Sequence, residues 1–460
     1  MIQIKIKNSI SLIENLSSKN FNELNQILSY KIPGSYFSNL PKYLQVTYLM
    51  KKIDSNQNGC IVEFPTGLIH YIEKYCNDNS LQFLIIDQRI KPKEKSKVPL
   101  LKNFPELRFY QKEIVEKCLK EERGIIESAT GTGKSLIILK LLRELSQNSL
   151  VIVPSKQILY QFHEQLIKYF GKKNVGIVGD GKKDFDKKFV VGTVQSCESI
   201  TDDQWKNIDV VIIDEFHHSA ASTFQKLNEN QFRNAYYRFG FTGTNFRNDG
   251  TDLALEAVLS NTIYKYDATD GIKDGFLCPP IFCLYNIEHS IQRMYKTWQK
   301  EHKDLVVNNS TLNEKIANIT VEMVNKDLST IVFVNTIEQG QNIANLISGI
   351  EYEFINGEQQ ASLNSEAIQR FNQGKLKCLI GTKVIGEGVD TIKAACGILA
   401  DGGKAKSDII QKIGRLMRMH ESKQFSLFID FFHIGGNWVS KHSKIRNSIY
   451  KKYNTQILVK

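Results

Sequence analysis

Short, almost wholly apolar runs recur through the middle of the chain. "GIIES", "SLVIVP", "FVVGT", "DVVIID" and "YRFGFTG" have the look of strands buried on both faces. Segments such as "KSLIILKLLREL" lie between them and read as helices. Strands alternating with helices predict a parallel sheet covered by helices on both sides. A second block of the same kind follows: "STIVFVNT", "EYEFING", "KCLIGT", "CGILAD" and "FSLFIDFF". Upstream, "SLIENLSSKNFNELNQIL" is expected to be helical, "GCIVEF" a strand, "TGLIHYIEKYC" a helix and "LQFLIID" a strand. Together they make a small α+β unit.

Breaks in this pattern divide the chain. Residues 1–90 form the accessory unit and 91–106 a basic linker rich in Lys and Pro. The first alternating block spans 107–287, a polar helical connector 288–325, and the second block 326–432. Residues 433–460 hold six Lys or Arg and no acid, and read as a basic tail.

At 460 residues, 42% of them hydrophobic, the chain is long enough for several packed domains. A net charge of +11 suits a polyanionic partner. The eight Cys include no C-x-x-C pair, so reduced buried thiols are expected and structural zinc is not. No apolar run approaches a membrane span and the N-terminus lacks a signal pattern. A cytoplasmic location is the expectation.

The chemistry begins at "ESATGTGKS", Glu127 to Ser135. Gly131 and Gly133 let the backbone turn and approach an oxyanion closely. Thr130 and Thr132 lie in the same loop. Lys134 supplies an ammonium for β- and γ-phosphates and Ser135 a hydroxyl for Mg²⁺. The following helix points its N-terminus at the same place. Ser128 stands where the full phosphate-loop pattern has Gly. Downstream, "DVVIIDEFHHSA" puts Asp214 and Glu215 at the end of a strand. Phosphoanhydride hydrolysis needs a held metal and an oriented water; Asp214 suits the first and Glu215 the second. His217 is a candidate for reporting nucleotide state.

With these two motifs in order, the chain resembles superfamily 2 helicases of the DEAD/DEAH type, and most closely the phage UvsW-type and XPB-type branch. The resemblance covers Leu107 to about Phe432. It implies an α/β fold of two tandem RecA-like parallel-sheet domains preceded by a small α+β N-terminal domain. It assigns Arg108 and Gln111 of "LRFYQKEIV" to adenine, and Pro154 and Gln161 of "VPSKQILYQ", with Thr193 and Gln195 of "VGTVQS", to the nucleic-acid strand. Thr242 and Thr244 of "GFTGT" fall at the coupling motif, where Gly243 replaces the usual Ala. Arg247 and Asp249 match the outer positions of the R-E-D motif, with Asn248 in place of Glu. In "GTKVIGEGVD", Thr382 would meet the strand while Gly388 and Asp390 face the nucleotide. "QKIGRLMR" supplies Gln411, Arg415 and Arg418, which a continuous helix would put on one face; guanidinium suits the charge of a transferring phosphoryl group.

The expectation is therefore an ATP- and Mg²⁺-dependent DNA helicase or translocase acting on single-stranded or branched DNA in recombination, repair or replication. Two lobes would share one triphosphate, so that its hydrolysis alternately closes and opens a grip. The resemblance also implies substrate recognition by the N-terminal unit. Two alternatives stand beside this reading: an RNA helicase, and an ATP-gated nucleic-acid sensor or motor subunit of a restriction or defence complex.

Overall fold

The computed structural model describes the chain except for residues 33–40, 42–44, 198–199, 217–220, 244–251, 291–294, 387–390 and 422. It divides into two compact units, Met1–Ser128 with Gly133–Lys265, and Ala129–Thr132 with Tyr266–Lys460.

The first unit opens with β1 (Ile2–Ile6), β2 (Ile10–Leu16), α1 (Ser18–Ile27), β3 (Ser29–Lys31), β4 (Val46–Tyr48), β5 (Lys51–Asn56), β6 (Gly59–Pro65), α2 (Ile69–Asp78) and β7 (Phe83–Asp87). Five of these strands make a sheet in the order β5-β6-β2-β1-β7. Residues 11–16, expected to be helical, belong to strand β2 instead. "ISLIENL" pairs with β1 on one side and β6 on the other; Ser11 and Ile13 are buried in a strand's alternation, and a register shift between Ile13 and Leu16 brings Leu16 back to the buried face. Ile4, Ile13, Val62, Phe64, Leu24 and Ile72 form the core.

This small sheet is fastened to the α/β layer that follows. In the β1–β2 turn, Asn8 Nδ2 donates to Asn234 O at 2.9 Å and Ser9 Oγ to Asn228 O at 2.5 Å. A Cβ on Gly67 would lie 2.0 Å from Glu256 O, so only glycine permits that approach. The basic linker does not present a free row of cations. Lys91 pairs with Glu122 at 2.7 Å, Lys95 with Asp209 at 2.6 Å and Lys97 with Glu144 at 2.5 Å.

The α/β layer comprises α3 (Phe109–Glu121), β8 (Arg123–Ser128), α4 (Lys134–Leu145), β9 (Ser149–Val153), α5 (Lys156–Phe170), β10 (Val175–Gly179), β11 (Lys182–Asp184), β12 (Phe189–Thr193), α6 (Val194–Cys197), α7 (Asp202–Trp205), β13 (Val210–Asp214), α8 (Ala221–Asn230), β14 (Tyr237–Thr242), α9 (Asp252–Leu259) and β15 (Thr262–Tyr266). The sheet order is β11-β10-β12-β9-β13-β14-β8-β15. Strands β9, β12 and β13 carry Val and Ile on both faces, as a doubly covered parallel sheet requires.

The second unit contains α10 (Ala268–Lys273), β16 (Pro280–Glu288), α11 (Trp298–His302), a π-helical turn (Lys303–Val307), α12 (Ser310–Asn325), β17 (Thr330–Phe333), α13 (Ile337–Ala344), β18 (Glu353–Ile355), α14 (Ala361–Gln373), β19 (Cys378–Gly381), α15 (Lys383–Gly386), β20 (Cys396–Leu399), α16 (Lys406–Leu416), β21 (Ser426–Ile434), α17 (Trp438–Tyr450) and β22 (Ile457–Val459). Its sheet runs β18-β19-β17-β20-β21-β16-β22, all parallel where paired. Two boundaries differ from those read in the sequence. Residues 266–287, assigned to the first block, belong to this unit, because β16 pairs with β21 along nine residues. The segment 433–460 is not a tail: α17 packs on β21 and β22 closes the sheet beside β16.

Charge is built into that core. Arg446 of α17 is fully buried; its Nε donates to Asp430 Oδ2 at 2.7 Å, and Tyr450 OH donates to the same oxygen at 2.7 Å. Glu301, also fully buried, accepts from the N–H groups of Trp438 and Val439 at 2.8 Å each. It thus satisfies the first amides of α17, where a negative charge is favoured by the helix dipole. The eight cysteines are buried thiols. Among the described residues no helix is long and apolar enough to cross a membrane, and no His, Cys, Asp and Glu group has the makings of a metal cluster.

Candidate active site

Parallel register gathers the chemistry at one end of the first sheet. Strand β13 pairs with β14 so that Asp214 lies beside Phe241, and β14 pairs with β8 so that Thr242 lies beside Glu127. The loops after β8, β13 and β14 therefore leave the sheet side by side. This is the carboxyl edge, where open α/β sheets bind ligands.

The loop after β8 reaches α4 through Gly131 and Gly133, at φ 90° and 85°. Both values are in the left-handed region that glycine enters without strain. A Cβ at Gly133 would also meet Gln111 Nε2 at 2.6 Å. Lys134 is the first residue of α4 and Ser135 the second, so the loop ends in exposed helix-start amides of the kind that bind phosphate. Thr132 is buried, its Oγ1 donating to Ala129 O at 2.6 Å; that hydroxyl braces the loop. Lys134 Nζ reaches Ser128 O at 3.2 Å and Glu215 Oε1 at 2.8 Å.

Glu215 sits at φ 47°, an uncommon conformation for a residue with a side chain. Its other oxygen, Oε2, accepts the backbone N–H of Gly243 at 3.2 Å. The carboxylate thus touches both the phosphate loop and the loop after β14. Sequence reasoning missed the Gly243 amide, because a backbone donor leaves no side-chain signature. Beside it, Asp214 has a buried Oδ1 with no hydrogen-bond donor among the described residues. Burial and the neighbouring Glu215 charge push its pKa up to about 7, against the pull of Lys134. A buried carboxylate oxygen with no donor among the described residues, close to the Lys134 ammonium of the phosphate loop, fits a hard divalent cation. Asp214 and Ser135 are the residues that would hold Mg²⁺.

Arg108 and Gln111 lie at the start of α3. Gln111 is buried and its Oε1 accepts the Arg108 N–H at 3.0 Å, so this amide caps its own helix as well as facing Gly133. Pro154 and Gln161 follow β9, the latter on α5. Thr193 ends β12 with its Oγ1 2.6 Å from Ser196 Oγ, and Gln195 is exposed on α6. Thr242 is buried at the end of β14.

In the second unit, Thr382 follows β19, while Gln411 and Arg415 share α16 and are both buried. Arg418 does not share that helix. The helix ends at Leu416, and Arg418 forms an antiparallel bridge with Leu277. That pairing turns the chain into an extended conformation, and burial works against the Arg418 charge. The single helical face read for Gln411, Arg415 and Arg418 therefore holds for the first two alone. Lys412, unremarked in the sequence, is buried and bonded to Asp401 and Asp408, which fixes α16 against the end of β20. His217, Thr244, Arg247, Asp249, Gly388 and Asp390 lie outside the described residues.

The comparisons with known proteins bear on the family and the fold. Residues 104–247 match the family "Type III restriction enzyme, res subunit", and 312–420 match "Helicase conserved C-terminal domain". A DNA 3'-5' translocase of Sulfurisphaera tokodaii is 27% identical over 369 residues, covering 71% of this chain and 81% of that protein. An ATP-dependent DNA helicase of Enterobacteria phage T4 is 25% identical over 448 residues, covering 90% and 87%. Among solved structures, a DNA-bound ATP-dependent Type ISP restriction-modification enzyme superposes with a TM-score of 0.58 at 16% identity, over 85% of this chain and 34% of that one. A Leu-to-Val variant of Saccharomyces cerevisiae Dbp5 bound to RNA and ADP BeF3 gives 0.53 at 17%, over 76% and 89%. These likenesses establish the fold.

Proposed function

We propose that this chain, a member of the superfamily 2 helicases, is an ATP-dependent DNA helicase or translocase. One observation carries the reading: Lys134, Asp214, Glu215 and the Gly243 amide stand together at the carboxyl edge of the first sheet. Lys134 exchanges Glu215 for the β- and γ-phosphates. The amides from Thr130 to Ser135 cradle the same phosphates, and Arg108 and Gln111 address the base. Asp214 and Ser135 hold Mg²⁺, which when bound neutralises charge on the phosphate oxygens. Glu215 orients the attacking water. Arg415 and Arg418 meet the charge that develops on the transferred group.

The strand is gripped by Pro154, Gln161, Thr193 and Gln195 in the first unit and by Thr382 and Gln411 in the second. Thr242, Thr244 and His217 couple the grip to the nucleotide, Arg247 and Asp249 act in strand separation, and Gly388 and Asp390 face the nucleotide. The named activities of the archaeal translocase and the phage helicase support DNA over RNA. Single-stranded or branched DNA is the substrate, with the N-terminal sheet domain recognising it. The test is ATP turnover by the full chain on single-stranded, forked and four-way DNA and on single-stranded RNA, together with strand displacement. DNA-stimulated turnover with displacement is expected. Turnover indifferent to every DNA, or stimulated by RNA alone, would overturn the reading.

A further inference from the structure

We infer that the turn between β10 and β11, together with the exposed side of α5, is a further contact for the nucleic-acid strand: Lys182 and Lys183 take phosphates and the Tyr160 ring takes a base. This rests on the reading of the chain as a nucleic-acid motor and extends it to Lys182 and Lys183, which no motif contains, and to Tyr160, which lies within "VPSKQILYQ" but has no role assigned there.

Position is the first argument. Strand β10 runs parallel to β12 with Val178 beside Gly192, and β12 runs parallel to β9 with Thr193 beside Val153. Gly179, the next residue of β10, thus comes level with Thr193 and Val153. The turn leaves the sheet at the same end as "VPSKQILYQ" and "VGTVQS", the two segments assigned to the strand.

Packing is the second. Gly179, Asp180 and Gly181 have φ of 147°, 51° and 80°. A Cβ on Gly179 would lie 2.9 Å from Leu159 Cδ2, 3.0 Å from Ser196 Oγ and 3.6 Å from Thr193 Oγ1. The turn is therefore seated by its backbone against both segments, whereas none of the described residues lies within 4 Å of a Cβ on Gly181. One side is fixed and the other open.

Chemistry is the third. Asp180 accepts from Lys156 Nζ at 2.6 Å and from Tyr160 OH at 2.9 Å, and Lys182 Nζ stands 4.6 Å over the Tyr160 ring. Lys156, Lys182 and Lys183 are exposed and Tyr160 is partly so. The Asp180 tether holds the ring at a fixed angle. A phosphate can draw Lys182 from an exposed cation–π contact, which uncovers the ring for stacking, the sequence-tolerant mode by which motors hold single strands. Lysine on an edge strand also discourages sheet-to-sheet pairing. That role needs neither Tyr160 nor its tether, and it leaves nucleic-acid affinity untouched.

The experiment is anisotropy of a labelled oligo-dT with the full chain, titrated over a range of salt, beside ATP turnover without nucleic acid. Replacing Lys182 and Lys183 together by Ala is expected to weaken binding about tenfold and to lower the slope of log affinity against log salt by about one. Tyr160→Ala is expected to weaken binding about fivefold, with Tyr160→Phe within about twofold of wild type, since the ring alone stacks. Turnover without nucleic acid stays unchanged in all three. If wild type binds oligo-dT and its turnover responds to DNA, yet the double variant and Tyr160→Ala keep wild-type affinity and slope, this contact is refuted. If wild type neither binds nor responds to DNA, the motor reading itself falls.

Discussion

Lys134 and Glu215 hold each other at 2.8 Å in a site where both are mostly shielded from water, so each is sensitive to loss of the other. Lys134→Ala removes the one ammonium of the phosphate loop. ATP turnover is expected to fall by about a thousandfold or more, while oligo-dT affinity stays near wild type because the proposed strand contacts lie elsewhere. Loss of both together in the two assays would contradict the assignment. Glu215→Gln keeps an oxygen able to accept the Gly243 N–H but lacks the charge proposed to orient and activate water. Turnover is expected to drop about a hundredfold or more with nucleotide affinity retained, read by single-turnover hydrolysis beside equilibrium binding of a labelled nucleotide. Arg418→Ala should lower kcat far more than nucleotide affinity; an equal loss in both would assign Arg418 to ground-state binding.

At the scale of elements, the buried Glu301 carboxylate sets the start of α17. Glu301→Ala leaves those amides without an acceptor and is expected to destabilise the second unit by about 2–4 kcal/mol. Glu301→Gln, which keeps one acceptor oxygen, should lie between; urea unfolding of the full chain followed by Trp fluorescence reads both. These contacts also show where the sequence speaks and where it is silent. Strands β8, β9, β12, β13 and β14 are legible because burial on both faces demands runs of Val, Ile and Phe. The small N-terminal sheet was harder. "IQIKI" has a strand's alternation, yet it is short and lysine-bearing, and "SLIENL" fits helix and strand spacing about equally over so few residues. Segment 433–460 looks like a solvated basic run because its lysines are exposed. What folds it is Arg446 on Asp430 and Glu301 on the α17 amides, and partners so distant in sequence leave no local pattern. The site divides the same way. Lys134, Asp214 and Glu215 are fixed by motif spacing, whereas the Gly243 amide, the end of α16 before Arg418 and the Lys412 pairing arise from tertiary contacts.

For the whole molecule, acid should act through the second unit. Burial, with help from Arg446, holds His433 well below the ordinary histidine range, and burial with Lys404 holds His442 down to about 4. The unfolded chain therefore binds these protons near pH 6.5 while the folded chain refuses them. Stability is full above that range and is lost as pH falls through it. The unfolding midpoint should drop between pH 7 and pH 5, and His442→Gln should flatten part of that drop; an unchanged profile in the variant would remove His442 from the account. In the first unit, Gly67→Ala places a Cβ 2.0 Å from Glu256 O and should loosen the small sheet domain, seen as faster amide exchange in β1 and β2. The same seam has a consequence for dissection. Arg123, buried at the foot of the phosphate-loop strand, gives Nη2 to Asn8 O at 3.3 Å, and burial drags its pKa down to about 9. Glu122 next to it is clasped by Arg89 at 3.2 Å and Lys91 at 2.7 Å. A chain cut after Ile90 would strip the cover from a guanidinium at the root of the ATP site. Any weakness of such a fragment would then report a wounded engine, not the work of the missing domain, and only surface changes that leave Asn8 and Arg89 in place can separate the two.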